Sequence, residues 1–266
     1  MAIPRSLDGQ VALVTGGGRG IGRAIAMDLA ARGARLVVTG RDESRLAEVV
    51  GEIAHGGGTA RHVAGDVRDP HHLREALGRA VDTWGRLDIA VANAGVSKAT
   101  RLGGEAAESQ TARAVLETNL LGTFFLFDLA VAMMKQPGRL IAISSVLGKL
   151  GVPGQSVYCA AKAGIHGFVR AAAVELGPRG ITCNAVCPGW VDTDMARARF
   201  AEIAADHPQK RSPQEVEREF LGAVPLRRFV EPEEVAGVVA FLCSPAAAAI
   251  TGQAISVCGG ATAFAG

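Results

Sequence analysis

The sequence predicts an α/β fold: a single doubly wound domain over residues 1–266, with a seven-stranded parallel sheet flanked by helices on both faces. Two observations predict it, and a third agrees. Apolar strand-like runs alternate with longer stretches of helical spacing, which is how a parallel sheet covered on both faces reads. The composition, 48% apolar and 20% charged, is that of a globular chain able to bury a large core. The 34 glycines have no collagen-like period and instead mark turns and close backbone approaches.

The elements follow in order. Val11-Ala12-Leu13-Val14 is a first strand, the Gly-rich turn after it leads into a helix from Ile21 to Arg32, and Gly33 stands where a helix stops. Arg35 to Thr39 is a second strand, Asp42 caps the next helix, and Ala60 to Val67 is a third strand. Asp69-Pro70 opens another helix, with Asp as cap and Pro at the first helical position. Strands at Leu87 to Ala92, Leu140 to Ser144 and Thr182 to Val186 are separated by helices around 105–135 and 157–176. Pro232 opens a late helix and Ala254 to Val257 is the seventh strand. The charged stretch at about 195–224 is longer than a connection needs, the mark of a substrate lid.

Charge and composition exclude some functions. Twenty-eight basic against 26 acidic residues give a net +2, which offers no footprint for nucleic acid. The start, Met1 to Ser6, has no charged-then-apolar leader pattern, and no run of about 18 apolar residues suggests a bilayer span; the expectation is a cytoplasmic protein with no membrane partner. Five cysteines without a CxxC pair fit free thiols in a reducing compartment. Cys183 and Cys187, on one strand, would be roughly 13 Å apart, too far to share a zinc, so no metal is expected.

Thr15-Gly16-Gly17-Gly18-Arg19-Gly20-Ile21-Gly22 sits between a strand and a helix, the context of a dinucleotide-binding loop. Positions without side chains let the backbone approach a pyrophosphate, whose charge is favoured at the helix N-terminus. A glycine cluster alone is also an ordinary tight turn. Further along, Asp66-Val67, Asn93-Ala94-Gly95, Asn119, Ser145, Tyr158-x-x-x-Lys162, and Pro188-Gly189 with Thr193 complete an ordered set of seven motifs. With its TGxxxGxG spacing, the sequence closely resembles the short-chain dehydrogenase/reductase family from about residue 8 to 260.

That resemblance implies a Rossmann domain that moves hydride between a carbonyl and its alcohol. It implies that Gly16, Gly20, Ile21 and Gly22 form the cofactor loop, that Asp66 and Val67 contact adenine, and that Asn93, Ala94 and Gly95 line the adenosine side. Pro188, Gly189, Val191 and Thr193 would hold the nicotinamide carboxamide. An acid at the end of the second strand suits the ribose 2′-OH of NADH, whereas Arg suits the 2′-phosphate of NADPH. Gly40 occupies the acid's place, Arg41 follows it, and Arg19 is a second guanidinium within reach; NADPH is therefore expected over NADH, with Asp42 read as a helix cap.

Tyr158 and Lys162, four apart on a helix, project from one face. An ammonium near a phenol favours the phenolate, so the expectation is a Tyr158 pKa below its ordinary value, with the phenol exchanging a proton with the substrate oxygen. Lys162 would also anchor the nicotinamide ribose, by resemblance. Ser145, at a strand end, could donate to the carbonyl oxygen as charge builds there, and Asn119 resembles the family member that fixes a proton-relaying water. Taken alone, Tyr-x-x-x-Lys is a common surface pair and Ser144-Ser145 a common turn; the combination carries the reading.

Smaller expectations complete the picture. His71 and His72 read as solvated, His166 as a core or subunit contact, and Trp190 as either pocket wall or packing. Arg197, Arg199, Lys210 and Arg211 form a charged lid face that would also attract an anionic carrier. The Cys183–Gly189 segment, the long lid and Val257-Cys258-Gly259-Gly260 resemble aromatic polyketide ketoreductases, although Val96 to Thr100 lacks the Pro-Gly-Gly those enzymes often carry. The implied substrate is a bulky apolar or polyketide-like ketone. Alternatives are a 3-oxoacyl-thioester reductase, a general secondary-alcohol dehydrogenase and, from another class, a non-catalytic NADP-sensing regulator. Relatives imply a homotetramer packed through the helices near 110–135 and 157–176.

Overall fold

The computed structural model describes residues 6–100, 102–103, 106–135, 137–206 and 211–263. Within them the chain runs β1 (Val11–Thr15), α1 (Gly20–Ala31), β2 (Arg35–Gly40), α2 (Glu43–His55), β3 (Thr59–Ala64), α3 (Pro70–Trp84) and β4 (Ile89–Ala92). It continues through α4 (Ala106–Leu116), a π turn (Glu117–Leu121), α5 (Gly122–Met133), β5 (Gly138–Ile143), α6 (Ser156–Leu176) and β6 (Ile181–Pro188). Last come α7 (Asp194–Asp206), α8 (Pro213–Gly222), α9 (Pro232–Cys243) and β7 (Ala254–Val257).

The strands pair in parallel as one sheet, in the order β3-β2-β1-β4-β5-β6-β7. The order reverses between β1 and β4, so a crevice opens at their carboxyl ends, where such folds bind ligands. Successive side chains go to opposite faces. Ala12 and Val14 pack with α1, α2 and α9, while Val11 and Leu13 pack with α3, α5 and α6. Both faces are covered, which is why the central strands are apolar without alternation.

Several boundaries differ from the sequence reading. The third strand ends at Ala64, before Gly65-Asp66-Val67. The last ladder bond there is Gly65 N–H to Gly40 O, after which the Asp66 carboxylate accepts the Arg68 N–H and starts a turn. Asp42 and Asp69 do cap α2 and α3, accepting the Arg45 and His71 N–H groups. β4 starts at Ile89, although Asp88 before it still donates its N–H to Val11 O and accepts the Arg139 N–H. Its buried carboxylate accepts the Val11 N–H at 2.9 Å and is held by Arg86 through three hydrogen bonds. Asp88→Ala strands that N–H in the core and is expected to cost about 2–3 kcal/mol in urea unfolding; a loss under about 0.5 kcal/mol would show the pair to be ornamental.

The helix expected around 105–135 is interrupted by the π turn. Its Glu108–Met133 portion is long and apolar enough to cross a membrane by length and composition, contrary to the sequence expectation. Leu126, Phe127 and Ala130 of α5 are nevertheless fully buried against the sheet, while Leu116, Leu121 and Phe124 are exposed. The stretch read as a lid holds α7 and α8, packed around buried Phe200, Ala204 and Val216. Trp190 joins this cluster rather than standing alone, its ring 4.5 Å from that of Phe200 and 5.5 Å from that of Phe220. Three lid arginines pair with acids: Arg197 with Asp192, Arg199 with Glu202 and Arg211 with Glu219. Lys210 lies outside the described residues.

Candidate active site

The glycine loop bends between β1 and α1 with its backbone held from behind. The Thr15 hydroxyl accepts the Asn93 and Ala94 N–H groups at 3.0 and 3.1 Å and donates to Val91 O. The Asn93 amide donates to Thr15 O and Gly16 O. Asn93 thus braces the loop, a role that its position after β4 did not reveal.

Side chains are excluded from the cradle by distance. Gly16 has φ +65°, and a Cβ at Gly22 would stand 2.1 Å from Gly16 O. A Cβ at Gly20 would meet Thr193 Cγ2 at 3.2 Å, which places the segment after β6 beside the loop. Arg19 precedes α1 without a capping hydrogen bond from its side chain, and Ile21 packs its flank on the core. The first-turn N–H groups of α1 therefore remain a site for an anion.

At the end of β2, Gly40 is followed by exposed Arg41. Asp66 faces the same corner, and the Arg68 guanidinium bonded to it holds its carboxyl below the usual range, with Arg41 contributing. Arg68 escaped the sequence reading, although its spacing from Asp66 was a signal. His72, expected in solvent, is buried: its Nε2 lies 2.6 Å from Thr39 Oγ1, and its ring fills the space that a side chain at Gly65 would need. Val67 is also buried, against Gly122. A glycine cradle, a helix start without a side-chain cap and two arginines at its mouth fit a dinucleotide bearing an extra phosphate.

Across the crevice, α6 brings Tyr158 and Lys162 to the end of β5, where Ser145 follows. Ser145 is buried and accepts the Leu147 N–H at 3.1 Å, and its hydroxyl is close enough to the Tyr158 phenol to favour the phenolate. Lys162 Nζ lies 5.6 Å from the Tyr158 ring centroid and donates to Ile143 O at 2.8 Å. Gly95 backs onto this group, since a Cβ there would be 3.7 Å from Lys162 Nζ.

The electrostatics overturn one expectation. Burial pushes the Tyr158 phenol up to about 12 despite the nearby Ser145 hydroxyl, and pushes Lys162 down to about 8. Desolvation outweighs attraction because the ammonium gives its hydrogen bond to a backbone carbonyl and lies over the ring. A phenol in this state keeps its proton at neutral pH. It is set to donate.

Asn119 lies on the π turn, buried, with its amide committed to Val96: Oδ1 accepts the Val96 N–H and Nδ2 donates to Val96 O, both at 2.8 Å. Its side chain braces the loop after Gly95, and a Cβ at Gly95 would stand 3.1 Å from Asn119 Oδ1 and 3.7 Å from Lys162 Nζ, so the two groups share one corner of the site. Pro188 ends β6, the Gly189 N–H bonds Val257 O, and Val191 forms a parallel bridge with Val230. Thr193 Oγ1 donates to Val191 O at 3.3 Å, ahead of α7.

Known proteins resemble this chain along nearly its whole length. The family model described as enoyl-(acyl carrier protein) reductase matches residues 16–262. A 3-oxoacyl-[acyl-carrier-protein] reductase of Synechocystis is 42% identical over 97% of this chain and 99% of its own. The solved structure of a variant actinorhodin polyketide ketoreductase with NADPH is 36% identical, covers 99% of this chain and 100% of that one, and superposes with a TM-score of 0.89. A short-chain dehydrogenase from Burkholderia cenocepacia in complex with NADP is 34% identical over 97% of this chain and 99% of its own, with a TM-score of 0.84. Sequence and fold agree end to end, and the chain belongs to the short-chain dehydrogenase/reductase family of oxidoreductases acting on carbonyl and hydroxyl groups.

Proposed function

We propose that this protein reduces a bulky, apolar ketone to a secondary alcohol with NADPH, and by microscopic reversibility catalyses the reverse. The observation that carries the reading is the placement of Tyr158 and Lys162 one turn apart on α6, with Lys162 Nζ 5.6 Å from the Tyr158 ring centroid and bonded to Ile143 O beside Ser145. When bound, NADPH supplies the hydride. Gly16, Arg19, Gly20, Ile21 and Gly22 hold its pyrophosphate, Arg41 its 2′-phosphate, and Asp66, Val67, Asn93, Ala94 and Gly95 its adenosine. Pro188, Gly189, Val191 and Thr193 hold the carboxamide, and Lys162 the ribose.

The chain's own groups then handle the oxygen. Ser145 orients the carbonyl and stabilises charge as it grows on oxygen, and Tyr158 delivers its proton there. Asn119 braces the loop after Gly95 through Val96 and, by resemblance, fixes a proton-relaying water beside Lys162.

The lid favours an apolar ketone: Arg197, Arg199 and Arg211 are paired with acids, and its core is aromatic. A second reading, reduction of a 3-oxoacyl thioester, is favoured by the 42% identity to an enzyme named for that reaction. Oxidation of NADPH with a panel of bicyclic ketones and acyl thioesters tests both. Faster turnover of thioesters would replace the first reading with the second, and no turnover of either would sink both.

Cofactor preference has its own test. A Cβ at Gly40 meets only Leu46 Cδ2 at 3.7 Å and Gly16 Cα at 3.8 Å, so an acid fits there. Gly40→Asp would repel the 2′-phosphate and is expected to shift the NADPH-to-NADH ratio of kcat/KM about tenfold or more towards NADH. A wild-type protein preferring NADH contradicts the assignment. We read the quaternary state as a homotetramer, supported by exposed Leu116, Leu121, Phe124 and Val174 on the helices concerned, and the compartment as the cytoplasm, supported by five free thiols.

A further inference from the structure

Beneath the Tyr158 group lies a buried polar cluster that the proposed chemistry does not use. His166, one turn past Lys162 on α6, is 7% exposed; Ser144 is 4% exposed and Cys187 fully buried. His166 Nε2 lies 2.9 Å from Ser144 Oγ and 3.3 Å from Cys187 Sγ. Ser144 Oγ in turn donates to Lys162 O at 3.0 Å. A Cβ at Gly148 would stand 2.7 Å from the imidazole and 2.8 Å from Lys162 O, so this glycine lets the loop after Ser145 close over the cluster.

With the Ser144 hydrogen directed at Lys162 O, the one partner that can only accept, the direction of the other bonds follows. A serine hydroxyl has one hydrogen, and here it goes to Lys162 O. Towards His166 the oxygen can only accept, so Nε2 carries the ring proton. Burial together with the charges of Lys149, Arg170 and Lys162 keeps the ring neutral, leaving Nδ1 without a hydrogen. The chain of bonds therefore runs from His166 Nε2–H to Ser144 Oγ–H to the Lys162 carbonyl.

Each neighbour of this ring adjoins a working part. Ser144 precedes Ser145, Cys187 precedes Pro188, and Lys162 is on the same helix. We propose that His166 is a positioning residue: its Nε2–H, acting through Ser144, sets the end of β5 against α6 and thereby aims the Ser145 hydroxyl and the Tyr158 phenol at a common oxygen. The inference rests on the reading of Tyr158 and Ser145 given above. Burying an imidazole costs desolvation, and an aliphatic side chain would fill the space without that polar demand. What the imidazole provides here is a directed donor to Ser144, at the end of β5, from a ring that also touches Cys187 near the end of β6.

The test compares His166→Gln, whose Nε2 can donate from nearly the same place, with His166→Leu, which fills the site without a donor. Misplacing reacting groups by a fraction of an ångström costs about one to two orders of magnitude. His166→Leu is expected to lower kcat for ketone reduction at least tenfold with KM for NADPH within about twofold, and His166→Gln to recover most of that loss. In a cycle with Ser144→Ala, the double variant should lose no more than the worse single variant, because both act through one bond. Nitrogen-15 chemical shifts of the wild-type ring should report the Nε2–H tautomer. Equal losses in the Leu and Gln variants, additive losses in the cycle, or the Nδ1–H tautomer would each overturn the proposal. Tyr158→Phe separates the two readings. If it abolishes turnover while His166→Leu does not slow it, positioning fails alone; if it leaves turnover intact, the site reading fails first.

Discussion

Replacing Tyr158 by Phe is expected to lower kcat for ketone reduction by about 10³-fold, while NADPH binds as before. The ring and its packing survive this change. Only the hydroxyl is lost, and with it the proton for the substrate oxygen. The wild-type protein carries the complementary measurement, because Tyr158 is its only tyrosine. A free phenol is half ionised near pH 10. With Tyr158 pushed up to about 12, the protein at pH 10 should show almost no tyrosinate absorbance. In the reductive direction the phenol must hold its proton and Lys162 its charge. Since burial brings the ammonium down to about 8, kcat is expected to fall as pH rises through that value, well before the phenol titrates. Half-formed tyrosinate at pH 8 would contradict this order, as would a Tyr158→Phe variant whose kcat stays within about tenfold of wild type.

The second large effect lies at the other end of the crevice. Gly22→Ala is expected to weaken NADPH binding by about two orders of magnitude, roughly 2.8 kcal/mol. The new methyl would stand 2.1 Å from Gly16 O and 2.4 Å from Asn93 Nδ2, and neither can yield easily. Gly16 has a left-handed backbone, and Asn93 is tied to two carbonyls of the same loop. Relief requires moving the loop whose N–H groups would meet the pyrophosphate. Gly51→Ala is the control, an exposed position on α2 where a methyl meets nothing within 4 Å. Titration of both variants with NADPH, followed by fluorescence, decides the matter: equal affinity in the two would remove the cradle from the cofactor site.

Most of the scaffold was legible because local and global demands agree. β1 and β6 are mostly apolar and buried from end to end, since helices cover both faces of their sheet. Asp42, Asp69-Pro70 and Pro232 mark helix starts through bonds made within a few residues. The groups that escaped depend on partners far along the chain. His72 looked solvated beside His71, yet Thr39 and Gly65 make room for it. The expected fall in the Tyr158 pKa assumed that spacing along a helix sets the interaction, whereas the depth of the site and the carbonyl of Ile143 set it. Asn119 was found by motif, but the direction of its amide depended on Val96, 23 residues away.

The π turn at Glu117–Leu121 also limits how this chain can change in length. It carries one residue more than the α spacing on either side would take up, and the bulge absorbs that surplus so that α4 and α5 keep their faces. A one-residue deletion there would let the ladder close as an ordinary α-helix with α5 nearly in its present phase, whereas the same deletion at the start of α5 would rotate everything after it by about 100°. In the second case Phe127 would turn away from the sheet it is buried against. A change of length is therefore tolerated better in this turn than in the helix that follows it.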